Sequence, residues 1–285
     1  MIRSFVTPAI FLLLTIFLAP PSAAQELSLP APSPLAKVMQ TAGITEITVT
    51  YSSPGKKDRE IFGGLVPFDE LWRTGANAAT TIELSHDVMM AGKAVPAGLY
   101  SIFSIPGKDS WTVIINKNAD QSGTRSYDEA LDQARFMAKP MASPTVRERM
   151  TFLFENTKSD STTLVLDWAG THVALPITID TSALAAAGID TYVDSAAGRL
   201  ARSARYLLEN DGDLDQAGML ADAAVAANLS WFNLWIQASV LYAQGDNKSA
   251  LKLAKQAWEL GEQAENFFYR ERIEAALTDW KKKKK

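Results

Sequence analysis

The sequence predicts an α+β protein in two parts: an antiparallel β-sandwich followed by a tetratricopeptide-like helical region. Three observations carry this. From about residue 36 to 180, apolar and polar residues alternate with period two, in short runs rich in β-branched and aromatic side chains. Turn formers punctuate those runs at Pro54-Gly55, Ala91-Gly92-Lys93, Pro106-Gly107-Lys108, Ser159-Asp160 and Ala169-Gly170. Beyond about residue 182 the period changes to an alanine-rich helical spacing that repeats after 33 or 34 residues.

Taken in order, residues 1–24 have the build of a secretory signal peptide. They carry one charge, Arg3, an apolar core from about Ala9 to Ala19, and small residues at Ser22, Ala23 and Ala24 before an expected cleavage. The apolar run is too short to cross a bilayer comfortably. Residues 25–35, QELSLPAPSPL, read as an extended leader. Residues 36–180 form the expected sandwich, of about nine strands. Ile47, Val49 and Tyr51 point one way while Thr48 and Thr50 point the other. The same alternation runs through ATTIELS, GLYSIFSI, SWTVIINK, RMTFLFE, TTLVLDW and THVALPITI. Phe103 and Trp111 fall on inward faces, and Trp168 ends its strand as core or edge. YDEALDQAR, at 127–135, reads as one or two helical turns on the rim.

Residues 181–285 are the helical region. Leu200, Ala204 and Leu207 recur 34 residues later as Leu234, Ala238 and Leu241; Gly212, Ala217, Ala221 and Ala224 recur 33 later as Gly245, Ala250, Ala254 and Ala257. Small alanines let paired helices approach closely, and the glycine ends the first helix of each pair. Two units plus a last helix near 264–280 fall short of the three repeats that stacking needs, so the helices are expected to dock on the sandwich.

Composition excludes several classes. The chain has no cysteine, hence no disulfide, thiolate metal site or cysteine nucleophile, which suits a bacterial periplasm. Setting aside Arg3 and the lysine run at 281–285, the 28 basic residues fall to 22 against 32 acidic ones. So acidic a body is unsuited to nucleic acid. No later segment is apolar for 18 residues, so no membrane span is expected once the signal is removed.

The run SPLAKVMQTAGITEITVTYSSPGKKDREIFGGLVPFDELWRTGANAATTIELS, followed by PAGLYSIFSIPGKDSWTVIINKN, closely resembles the bacterial exported family called domain of unknown function 2911. The resemblance spans residues 34–180 and rests on LWRTGAN-x-A-T and G-x-Y-S-x-F-x-I-P. It implies a fold and an exported location, and no activity. ALDQARFMAKP departs from the strand rich in valine and lysine expected there, so the strand at 134–139 has the fewest β formers.

The motif LWRTGAN reads in two ways. As a ligand site, Arg73 is a fork for a carboxylate or phosphate, Trp72 a stacking face and Asn77 an amide, with Thr74 and Thr80 as further polar groups of the same corner. As a structural corner, Arg73 pairs with Glu83 or Asp69 and Trp72 fills the end of the sandwich. Gly75 then takes a positive φ, and Asn77 bonds backbone. The two histidines, His86 and His172, lack H-x-H or H-E-x-x-H spacing, so no metal site is expected. No nucleophile elbow or P-loop is present, no S-x-x-K stands in a plausible place, and no cofactor is implied. The pairs Asp69–Glu70 and Asp128–Glu129 are sequence neighbours, which a strand points to opposite faces. In the helices, Trp231, Leu234 and Trp235 share one face, for packing against the sandwich or as a groove for a partner peptide.

These readings converge on an exported, non-catalytic binding or interaction module for a protein or a small polar ligand. The alternative is a periplasmic hydrolase acting on an envelope or carbohydrate substrate. An open cleft lined by Arg73, Asn77 and an acid from another strand favours the enzyme; a closed sandwich with apolar ends favours the module.

Overall fold

The computed structural model describes residues 29–282; the expected signal peptide and the last three lysines lie outside the described residues. Twelve strands come first in the chain: β1 (Leu35–Ala42), β2 (Thr45–Ser52), β3 (Thr80–Leu84), β4 (Val88–Met90), β5 (Lys93–Val95) and β6 (Gly98–Ile105). They continue with β7 (Trp111–Asn116), β8 (Asp132–Ala138), β9 (Pro140–Ala142), β10 (Thr151–Glu155), β11 (Ser161–Trp168) and β12 (Thr171–Thr178). All strand pairs are antiparallel. One sheet has the order β1-β2-β3-β6-β7-β8, the other β10-β11-β12-β4-β5, with β9 added beside β12.

The period-two pattern explains how the sheets meet. Ile47, Val49 and Tyr51 of β2, Tyr100 and Ile102 of β6, and Trp111, Val113 and Ile115 of β7 turn to one face. There they pack against Leu164, Leu166 and Trp168 of β11 and Val173, Leu175 and Ile177 of β12. The fold holds three more strands than expected, because β4, β5 and β9 have only three residues each, too few to show a period. The strand poorest in β formers does form, as β8, since Phe136 and Ala138 are buried in the sandwich core. Burial here overrides local propensity. Only one short helical turn, Glu129–Leu131, lies where two were allowed for.

Phe103 is fully buried, but not on the inner face as expected. It lies with Ala79 and Ile114 on the outer face of the first sheet, against Tyr127 and Leu71. The segment after β7 folds back over that face, so both faces of β6 are covered and alternation alone does not tell them apart. Trp168, core or edge by sequence, is core, at 1 % exposure.

The helices are α1 (Thr181–Glu209), α2 (Leu214–Ala227), α3 (Trp231–Ala243), α4 (Asn247–Gly261) and α5 (Arg270–Lys282). Four start at side-chain caps: Asp180, Asp213, Ser230 and Asp246 each accept a backbone N–H of the first turn. The alanines of the repeat, Ala204, Ala217, Ala221 and Ala224, and then Ala238, Ala250, Ala254 and Ala257, are all fully buried within one helical core. Gly245 turns α3 into α4 with φ +91.

The expectation that the helices dock on the sandwich is corrected. They close a core of their own, and Leu184 near the start of α1 is the helical residue packed against the sandwich. Beside it, Thr181 Oγ1 donates to Ser159 O at 2.7 Å. The missing third repeat is replaced by α5. Ile273 is fully buried, and Trp280 stacks on Trp235 (5.6 Å, 12°) and on Tyr242 (4.3 Å, 8°). These aromatic faces supply burial that a docked sheet would otherwise have to give.

Candidate functional site

The connection from β2 to β3 runs through residues 53–79, far longer than an ordinary hairpin loop, and it carries LWRTGAN. Trp72 fastens it to β6: Trp72 N donates to Ser104 O (2.8 Å) and Ser104 N to Trp72 O (2.9 Å). Two hydroxyls continue the seam. Thr74 Oγ1 and Ser104 Oγ are 2.8 Å apart, and Thr80 Oγ1 donates to Thr74 O at 2.7 Å, all of it buried. Asn77 Nδ2 donates to Ser33 O (3.3 Å) and Ser52 Oγ (3.2 Å), tying down the end of the leader. Positive φ falls on Thr74 (+54) and Asn77 (+59). Gly75 takes the positive φ expected of it, at 158. It is needed for space, because a Cβ there would meet Thr80 Oγ1 at 2.9 Å.

Thr74, Asn77 and Thr80 are therefore held in the corner itself. Arg73 is not. It pairs with neither Glu83 nor Asp69, both of which are exposed, and its buried Nε has no hydrogen-bond partner among the described residues. Instead it lines a cleft of about 270 Å³ with Ser33, Arg59, Leu65, Trp72 and Trp168. Behind the cleft lies an aromatic cluster: Trp72 stacks on Trp168 (6.2 Å, 22°), and Phe62 meets Trp72, Trp111 and Trp168 edge-on. No carboxylate lines this cleft among the described residues, and Asn77 does not reach it. Two guanidiniums over an apolar floor can hold an anion; nothing there can serve as a general acid–base pair.

Sequence reasoning missed Arg59 and Phe62, since both come from the unpatterned stretch 53–69; only in the fold does Phe62 meet Trp72 and Arg59 share its cleft. It also missed two polar clusters. Asp132 accepts from Tyr127 Oη (2.7 Å) and Arg135 Nε (2.7 Å), and Arg135 also reaches Glu129 at 3.0 Å. Burial, and then the Asp132 carboxylate, push the Tyr127 hydroxyl up to about 12. With Asn116, which donates to Asp128 O and Asp132 Oδ1, this network clasps the segment that covers Phe103.

In the second cluster, buried Asp167 Oδ2 accepts from Ser143 Oγ (2.7 Å) and lies 3.6 Å from His172 Nδ1; Arg147 Nε stands 3.7 Å from Oδ1. Serine and histidine both meet the carboxylate rather than each other, so this is no nucleophile–base pair. His86 is half-buried, its Nδ1 3.0 Å from Ser85 Oγ. Among the described residues, no group of three or more acidic or imidazole side chains is placed to hold a metal.

Of the helical residues singled out, Leu234 (2 %) and Trp235 (9 %) are enclosed in the helical core. Only half-buried Trp231 keeps a face toward solvent, among Phe232, Phe267 and Phe268. The three do not make a groove, because α5 and the turn before it cover that helix face. No described helix is long and apolar enough to cross a membrane.

Fold and site together define a two-sheet antiparallel β protein with a helical extension, its long β2–β3 connection forming an arginine-bearing aromatic cleft. Residues 33–177, just over half of the chain, match the model of the family described as "Protein of unknown function (DUF2911)", and the chain belongs to that family. Neither the curated proteins nor the solved structures compared with the chain contain a match.

Proposed function

We propose that this protein is an exported, non-catalytic binding module whose ligand is a small organic anion held in the Arg73 cleft. One observation carries the reading: a guanidinium without an ion pair lines an aromatic-floored cleft, and its buried Nε is unpartnered among the described residues. A buried donor left unbonded costs about 1–3 kcal/mol, so the fold itself does not answer this side chain. A glycoside hydrolase of the ordinary kind on this site would need paired carboxylates, and the cleft lining has none among the described residues, which supports binding over that hydrolysis. Thr74, Asn77 and Thr80 then act as the rigid frame that sets Arg73 and Trp72. The two alanine-paired helical hairpins, tetratricopeptide-like in spacing, are a separately cored appendage. The periplasmic location rests on the expected signal peptide and the cysteine-free chain.

Thermal-shift measurements with benzoate and its neutral analogue benzamide test this. Benzoate raises the unfolding midpoint of the wild type, benzamide does not, and Arg73→Gln abolishes the benzoate shift. Equal responses to both compounds, or a shift that survives Arg73→Gln, refute the cleft as an anion site.

A further inference from the structure

We infer that the cleft recognises a doubly charged oxyanion borne on an apolar body, with Arg59 as the second cationic contact; the inference rests on the reading of the cleft as an anion site. Arg59 lies on the same 53–79 connection and lines the same cleft as Arg73. Its Nε donates to Lys56 O (3.0 Å) and its Nη2 to Gly55 O (2.7 Å). Two bonds to backbone carbonyls fix the plane of that guanidinium, and it forms no ion pair among the described residues. A third arginine nearby is differently employed: Arg149 Nη1 donates to Ser53 O (3.0 Å) and Pro32 O (3.3 Å), bracing the cleft's rim.

Arg59 and Arg73 therefore place two positive charges on one cleft without a carboxylate between them. Like charges sharing a cleft repel, and a group with two negative charges relieves both at once. A monocarboxylate fills one guanidinium fork and leaves the other unanswered, whereas a phosphate monoester offers oxygens to both. Beside Ser33, Gly75 and Ala76, the lining includes exposed Leu65 and half-buried Trp72, which offer apolar contact to a body behind the charged group.

Calorimetric titration of the whole protein with phenyl phosphate, benzoate and inorganic phosphate tests the inference. Phenyl phosphate is expected to bind about tenfold tighter than benzoate, the worth of one further charge-assisted hydrogen bond, and about tenfold tighter than inorganic phosphate, which lacks the ring. Arg59→Gln brings phenyl phosphate down to the level of benzoate and leaves benzoate within about twofold. Arg59→Lys, which keeps the charge and loses the fork, falls between. If phenyl phosphate binds no tighter than benzoate, or Arg59→Gln weakens both alike, two-arginine recognition is overturned while the anion site stands. If neither organic anion binds the wild type, or Arg73→Gln leaves both unchanged, the anion site falls as well. Vesicles containing phosphatidic acid carry the same group on a lipid: they displace phenyl phosphate if a lipid headgroup is the source, and leave it bound if a soluble ester is.

Discussion

Arg73 and Thr80 stand in one motif and should respond to substitution with opposite sign. Thr80 is fully buried, and its hydroxyl donates to the carbonyl of Thr74, itself 2 % exposed. Thr80→Val keeps the shape and removes the donor, leaving that carbonyl unbonded at a cost of about 1–3 kcal/mol. For a chain of this size each kcal/mol moves the midpoint by about 2–4 °C, so unfolding should come about 2–12 °C earlier. Arg73→Met keeps most of the stem and removes the guanidinium. No ion pair is given up among the described residues, and a buried unpartnered Nε is relieved. The midpoint should hold within about 4 °C or rise, since the relief is at most of the same 1–3 kcal/mol size. Thermal unfolding followed by circular dichroism, wild type beside both variants, decides the matter. Breaking a buried charge pair costs about 3–5 kcal/mol. A fall of some ten degrees for Arg73→Met would therefore show that Arg73 is a structural cation, and the cleft reading would fail with it.

Two further expectations concern parts outside the cleft. Trp280→Ala removes the ring stacked on Trp235 and Tyr242, a large-to-small change worth about 3–5 kcal/mol, and the helical signal should melt ahead of the β signal because the two cores are separate. A single unshifted transition would contradict that separation. Tyr127 has its folded pKa raised from 10.0 to about 12, so its neutral form is the one the fold favours. Its contribution to stability is complete below pH 10 and is lost as pH rises from 10 to 12. A tyrosinate absorbance titration should show late ionisation from Tyr127 and from Tyr100, which burial also raises, and Tyr127→Phe removes the former. Asp132→Asn should shift it down without restoring the ordinary value, because burial is the larger cause; an unmoved titration would show that Asp132 plays no part.

What the sequence made legible follows from how local each determinant is. The strands β2, β6, β7, β11 and β12 announce themselves because each has one face in the core and enough residues to show a period. Phe103 was assigned to the wrong face because a returning segment buries the outer side of β6 as well, and hydrophobicity then carries no direction. The alanine repeat marked the helix contacts correctly. What those helices pack against was not legible, because α5 offers Trp280 from a stretch whose spacing repeats nothing before it.

The site divides along the same line. In LWRTGAN-x-A-T the two threonines and the asparagine find partners within the motif or on β2 and β6, so the motif marked the corner's residues while the strands supplied their partners. Whether Arg73 belonged to that corner depended on Glu83 and Asp69, and nothing in the spacing says that neither reaches it. Arg59 lies 14 positions before Arg73, in a run with no motif, and only the folded 53–79 connection lines one cleft with both. A binding site made of one motif residue and one anonymous arginine is half visible in a sequence. The visible half is the frame, because its polar residues stand together in one motif, even though Thr74 and Asn77 bond to partners far off in the chain. The cleft is built from groups whose bonding capacity the chain itself leaves unused.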